Sequence, residues 1–201
     1  MHEHDRRRMA PSFGAASVPS SAPVPAARSE AGPVHAAGAV GPRDQLAIVD
    51  ALYRFGAGQD LRDRTLLASA FAADATLDFA QPARRFGVAL EPFVGREAIV
   101  ESIFAAIGAL DTTHSVTNPR VTAYDGERAS LFALVEAQHL PRGDHRRHLL
   151  LKNIYHVDLV RHDGLWLIVR MRIDNVWSSG DPAVLFPNAP SVAVVEEVPH
   201  D

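Results

Sequence analysis

Asp60, His114 and His139 are the residues of this chain best suited to moving a proton. An imidazole beside a carboxylate is a general base. The carboxylate fixes which ring nitrogen holds the hydrogen and stabilises the imidazolium that forms. A second imidazole nearby can supply the acid or hydrogen-bond a leaving oxygen. Removing a proton from one carbon while a hydroxyl leaves the next needs such a set. So does shifting a double bond, or closing a ring by aldol chemistry. Taken singly, each residue also has a structural explanation. Asp is a favoured helix cap, and a histidine among apolar neighbours often serves packing alone. Periodicity by itself does not bring the three together.

The elements that must position them are legible in outline. Leu46, Ile48, Val49, Leu52, Tyr53 and Phe55 recur at helical spacing, so residues 43–57 read as an amphipathic helix. Gly56 and Gly58 are expected to loosen its end, and Asp60 comes directly after. Residues 63–71 read as a second short helix, 75–79 as a strand, and 80–94, with Pro82 and Pro92, as a long connection. A third helix is expected over 96–110, entered through Gly95.

Four strands complete the pattern, over about 112–124, 128–140, 147–161 and 165–177. Asp125-Gly126 and Asp163-Gly164 are hairpin signals. His114 falls on the first of these strands and His139 near the end of the second. Leu131, Ala133, Val135, Ala137 and His139 share one face, because strand side chains alternate with period 2. His139 therefore points into an apolar interior. Leu149, Leu151, Asn153, Tyr155, Val157 and Leu159 share a face of the third strand. Leu165, Leu167, Val169, Met171 and Ile173 are expected to share one on the fourth. Helices followed by an antiparallel meander give an α+β fold, with the helices packed on one side of a curved sheet.

Composition bounds the rest. The 201 residues are 47% hydrophobic and 22% charged, which suits one globular domain with tails. A net charge of −4 and a pI near 6.2 leave no electrostatic footprint for nucleic acid or an anionic membrane. With no cysteine there is no disulfide, thiol nucleophile or cysteine metal site. No apolar run approaches the roughly 18 residues of a membrane helix. Residues 1–42, rich in Ala, Pro, Ser and Gly, read as a disordered tail. Arg6, Arg7 and Arg8 resemble the start of a signal, but Pro11, Pro19, Pro23 and Pro25 break up the stretch that would have to be its apolar core. Met9 is an alternative start. A cytoplasmic location is expected, and residues 181–201, with four prolines, read as an irregular tail in which Leu185 and Phe186 could cover a pocket mouth.

Other constellations carry less. His145 and His148 beside Asp144 have metal-like spacing, but Arg146 and Arg147 alongside favour a solvated turn. No metal and no cofactor is expected. Arg142-Gly143-Asp144 spells an adhesion tripeptide that is common by chance. Trp166 and Trp177 fit packing. No phosphate loop, serine elbow or dinucleotide fingerprint is present.

The segments RFGAGQDLRDRTLLASAFAADATLDF, GREAIVESI, TTHSVTNPRVTAYDGERA and YHVDLVRHDGLWLIVRMRIDNVWSSGD resemble the SnoaL-like branch of the nuclear-transport-factor-2-like superfamily. The resemblance covers roughly residues 43–181. It implies a cone: a strongly bent, mostly antiparallel sheet wrapped around helices, enclosing one deep pocket. Such a cone hosts many functions. Within the branch the chain is most similar to the scytalone dehydratases. Asp60 matches their Asp at the end of the first helix, and His114 and His139 match their two strand histidines. Val176-Trp177 sits where they have a Trp after the last strand. The Asp–His pair also resembles that of the bacterial dehydrochlorinases of this fold. The likeness stops at two tyrosines, replaced here by Gln59 and Phe79. Tyr53 or Tyr155 could supply a phenol instead, and Asn153 could bind a ligand. The sets expected of limonene-epoxide hydrolases and ketosteroid isomerases are not evident.

The resemblance implies a cofactor-independent dehydratase or isomerase acting on a small, largely apolar cyclic hydroxy- or keto-substrate. In it Asp60, His114 and His139 would be catalytic, and Tyr53, Phe79, Asn153, Tyr155 and Trp177 would line the substrate. The alternatives are a polyketide cyclase using the same dyad, or a non-catalytic ligand carrier or scaffold like the small subunit of ring-hydroxylating dioxygenases. A scaffold has no need of a buried Asp–His pair. The outer sheet face, with Phe132 and Leu134, suggests a homo-oligomer.

Overall fold

The computed structural model describes residues 40–187. Its helices are α1 (Pro42–Asp60), α2 (Arg64–Ser69), α3 (Ala80–Arg85) and α4 (Arg96–Ile107). Its strands are β1 (Phe71–Asp78), β2 (Phe93–Val94), β3 (Leu110–Tyr124), β4 (Arg128–Pro141), β5 (Leu149–His162) and β6 (Leu165–Gly180). A 3-10 turn, Pro182–Val184, comes after β6. The six strands form one curled sheet in the order β2-β1-β6-β5-β4-β3. Every pairing is antiparallel except β1 with β6. The α+β cone expected from the sequence is the observed fold.

The first helix does not loosen at its glycines. It runs through Gly56 and Gly58 to Asp60, because both lie where neighbouring chain comes close. A Cβ on Gly56 would sit 3.1 Å from His114 Cβ, and one on Gly58 only 2.5 Å from the Leu67 backbone nitrogen. The glycines thus let α1 settle against β3 and α2. Asp63 caps α2 by accepting from the Leu66 amide at 2.9 Å. Arg54, buried in α1, donates to the Ser69 and Trp166 carbonyls and to Asp50, tying the helix to α2 and β6. Ile48, Leu52 and Phe55 fill the main core against Phe71, Leu131, Trp166 and Ile168.

The meander is shaped by its turns. Asp163 and Gly164 both take positive φ, at 49° and 80°, which matches the right-handed twist of β5 and β6. Asp125 accepts from the Glu127 and Arg128 amides across the other hairpin. The predicted inward faces of β4 and β5 are the buried ones, His139, Asn153 and Tyr155 included. On β6 the prediction fails at the start. Trp166 and Ile168 are buried there, whereas Leu165 is exposed. The ladder shifts between Asp158 and Leu159, so that Val169 has no cross-strand partner and parity changes. A second shift, just past the Asn153–Asn175 pair, leaves Val176 unpaired and sets Trp177 opposite Lys152.

The expected long connection at 80–94 contains α3 and β2. Part of the expected C-terminal tail also has structure. Phe186 stacks on Phe79 at 6.1 Å and lies 5.2 Å from Phe86, forming a second small core with Val184, Leu149 and Leu151. The disordered tail expected over 1–42 lies almost wholly outside the described residues, as do residues 188–201.

Candidate active site

A cavity of about 250 Å³ lies between the two cores. Its walls come from α1, β1, α4, the sheet and the turn after β6. They include Phe55, Phe79, Phe93, Ile103, Leu151, Ile173 and Phe186, with polar side chains from Gln59, Ser102, His114, His139, Asn153 and Tyr155. Among the described residues no lysine, arginine, aspartate or glutamate lines it.

Helix α1 and strand β3 build the dyad together. Gly56 and Asp60 lie four residues apart, on one face of the helix. Gly56 admits the His114 Cβ, and the ring then reaches Asp60. His114 Nδ1 lies 2.7 Å from Asp60 Oδ1. The His114 amide donates to Asp60 Oδ2 at 2.7 Å, and the Thr112 hydroxyl donates to Oδ1 at 2.9 Å. Burial works to raise the Asp60 pKa, but its bonds to His114 and Thr112 outweigh it and hold the carboxyl below the usual aspartate range. An ionised carboxylate accepts only, so His114 carries its hydrogen on Nδ1. Nε2 is left as a base, on a side chain only 4% exposed.

Asp60 itself does not line the cavity. It stands behind His114, its side chain 21% exposed, beside a shallow outer groove with Tyr53 and Val116. His139 does line the cavity, its ring 6.0 Å from that of His114. Its Nδ1 faces the Leu149 carbonyl at 3.3 Å. A carbonyl cannot donate, so Nδ1 bears the hydrogen and Nε2 is the free acceptor. Burial, together with the neighbouring His114, pushes His139 down to about 4. It is neutral at physiological pH. Burial likewise pushes the Tyr155 phenol up, which keeps it protonated.

Of the residues expected to line a substrate, Phe79, Asn153 and Tyr155 lie on the cavity wall. Tyr53 and Trp177 do not. Tyr53 is two residues from Phe55, roughly 200° around the helix, and faces the outer groove, 48% exposed. Trp177 follows the bulge at Val176, which turns it outward, where Lys152 Nζ stands 5.7 Å from its ring. Gln59, Ser102 and Ile103 are wall residues that the sequence pattern does not single out. Gln59 stands out there only as a replaced tyrosine; its Nε2 donates to the Phe55 carbonyl at 3.1 Å. Ser102 and Ile103 sit on one side of α4, where helical spacing gives no sign of a cavity.

The suspected metal spacing does not form a site. His145 pairs with Asp111 at 2.8 Å, in the open. Among the described residues no three His, Asp or Glu side chains gather as metal ligands, and no helix is long and apolar enough to cross a membrane.

Comparison with known proteins agrees with this architecture. The family model for the SnoaL-like domain matches residues 43–172. Terrestric acid biosynthesis cluster protein E of Penicillium crustosum is 34% identical over 147 residues, spanning 70% of this chain and 88% of that protein. A proposed aromatic ring hydroxylase from Novosphingobium aromaticivorans superposes with a TM-score of 0.62 at 25% identity, over 70% of this chain and 95% of that one. A proposed scytalone dehydratase from the same organism superposes at 0.59 and 20% identity, over 69% and 88%. With the family model spanning most of the cone, and a relative matched over nearly its whole length, this chain belongs to the SnoaL-like domain family.

Proposed function

We propose that the protein is a cofactor-independent lyase or isomerase, using the Asp60–His114 dyad on a small, neutral cyclic substrate that bears a carbonyl and a hydroxyl. The observation that carries this is the 2.7 Å contact of Asp60 with a histidine on the wall of an apolar cavity. A scaffold would have no use for an imidazole polarised at the edge of an open chamber. A relative named for a biosynthesis cluster further supports a small-molecule substrate.

His114 Nε2 takes the proton from carbon, and Asp60 stabilises the imidazolium. Negative charge develops on the carbonyl oxygen, which the Tyr155 phenol and Asn153 are chemically suited to receive. In dehydration the imidazolium then returns its proton to the departing hydroxyl. The carbon–oxygen bond breaks, a carbon–carbon double bond forms, and water leaves. His139 is unprotonated near neutral pH, so its role is to accept a hydrogen bond from the leaving hydroxyl and orient it. The same dyad would serve isomerisation or aldol cyclisation. The outer sheet face, where the Phe132 ring meets His156 at 5.9 Å, is the proposed contact between copies in a homo-oligomer.

The test is a panel of cyclic hydroxyketones in deuterated water, with loss of water and uptake of deuterium at carbon both followed by mass. His114→Ala and Asp60→Asn should each lower the active reaction by roughly 10²–10⁴. Full turnover in His114→Ala would remove the dyad from the chemistry.

A further inference from the structure

Asn175 lies outside the cavity wall but touches a residue on it. It is 4% exposed and sits opposite Asn153 in the β5–β6 ladder. Its Nδ2, with two hydrogens to give, lies 2.9 Å from Asn153 Oδ1, 3.0 Å from the Trp177 carbonyl and 3.3 Å from the Lys152 carbonyl, so that two of these acceptors share one hydrogen. Two of these acceptors are backbone carbonyls, whose polarity cannot change. They fix which end of the Asn175 amide is nitrogen. That in turn makes the facing atom of Asn153 an oxygen, since two amide nitrogens would repel. Gln81 on α3 holds the same strand in place: its Oε1 accepts from the Asn175 backbone N–H at 2.7 Å.

With Oδ1 committed, Asn153 turns only the donating Nδ2 end of its amide to the cavity. Asn153 also shares its strand face and the cavity wall with Tyr155. Burial keeps that phenol protonated, so it has a hydrogen to give. This part of the wall therefore presents donors. The other part presents acceptors, the Nε2 atoms of His114 and His139. His139 pairs with Leu149, four residues along β5 from Asn153, or about 13 Å of strand.

We propose that Asn175 is a positioning residue that locks Asn153 as a hydrogen-bond donor, so that the cavity takes neutral β-hydroxy carbonyl compounds in one orientation. The carbonyl oxygen lies at Asn153 and Tyr155, and the acidic C–H and the hydroxyl lie at the histidines. This rests on the cavity being the substrate site. The arrangement is the end of one unbroken register, which runs from Asp158–Arg170 to Asn153–Asn175; the bulge at Val176 follows it and carries Trp177 opposite Lys152.

The test uses 1-indanone, a neutral ketone that can only accept, and reads its carbonyl stretch by infrared spectroscopy when bound to the full-length protein. The wild type should bind it with the stretch moved to lower frequency than in an apolar solvent. In Asn175→Asp and Asn175→Ala that displacement should shrink by about half, since only the Tyr155 hydroxyl still donates, with affinity falling about five- to tenfold, the effect of losing one neutral hydrogen bond. Asn153→Leu should behave likewise. A stretch unchanged in the Asn175 variants would overturn the positioning role and leave the cavity as the substrate site. Failure of the wild type to bind 1-indanone would remove both. Should the variants not fold, isotope-edited NMR of the wild type decides: contacts from the Asn153 side-chain amide hydrogens to bound indanone are expected, and their absence in a saturated complex overturns the proposal.

Discussion

His139 shows how burial sets the part a residue can play. Its ring is 5% exposed, and the protein holds it neutral down to about pH 4. In the unfolded chain it titrates near 6.5. Between those two values the unfolded state binds more protons than the folded one, so stability falls as pH drops through this window. The loss is of order 3 kcal/mol when the shift is converted at about 1.4 kcal/mol per unit. Above pH 6.5 the group contributes no slope. Urea midpoints measured from pH 7.5 to 4.5 should decline, and His139→Asn should flatten the decline. An equally steep profile in the variant would assign the acid sensitivity elsewhere. Asp60 does not compete within the window, since its depressed pKa places its own loss at lower pH. The pairing of Asp60 with His114 was legible through the family resemblance, since each residue read singly also has a structural explanation. Which nitrogen carries each hydrogen was not, since that depends on the Leu149 carbonyl and on the position of Asp60 behind the ring.

At the scale of elements, the Asp60–His114 contact depends on α1 lying close to β3 and α2. Gly58→Ala separates two opposing effects. Alanine favours a helix interior over glycine by about 1 kcal/mol. Against this, the new methyl would meet the Leu67 backbone nitrogen and Cα at 2.5 and 2.6 Å. Backbone cannot turn aside as a long side chain can, so the cost should fall at or beyond the upper end of the usual 1–3 kcal/mol for overpacking. A net loss of about 2 kcal/mol is expected in urea denaturation, and a gain in stability would refute the close approach. The same glycines misled the sequence-based expectation, which took them for a helix end. Local propensity points that way, and only the close approach of β3 at Gly56 and of α2 at Gly58 explains their presence. The hairpins were readable because Asp-Gly turns and alternating strands are local signals. The face of β6 was not. Its residues 165–169 are apolar without alternation, and the bulges at Val169 and Val176 change parity through pairing with β5 alone. Trp177 was expected at the substrate from the resemblance, and the bulge at Val176, which no sequence signal marks, is what turns it outward; Asn175 was not singled out.

For the molecule as a whole, the question is why a chain of this size keeps a void instead of packing it. The curled sheet carries two separate cores, one around Ile48, Phe71 and Trp166 and one around Phe86, Leu149 and Phe186. The cavity is the space that neither closes. Its composition limits what can enter. Among the described residues no cationic side chain lines it, and the carboxylate of Asp60 lies directly behind His114. An anionic ligand would lose its hydration without gaining a counter-charge, and would also meet the field of Asp60. Burying an unpaired charge costs several kcal/mol even after relaxation. A neutral ketone loses little, because its oxygen needs only a donor such as the Tyr155 hydroxyl. Acetophenone should therefore bind at least about 100-fold more tightly than benzoate at pH 8, a ratio that requires only about 2.7 kcal/mol. Calorimetric titration of the two ligands measures it directly. Comparable affinities would mean that a cation reaches the cavity from elsewhere in the chain, and the neutral substrate class would then have to be abandoned.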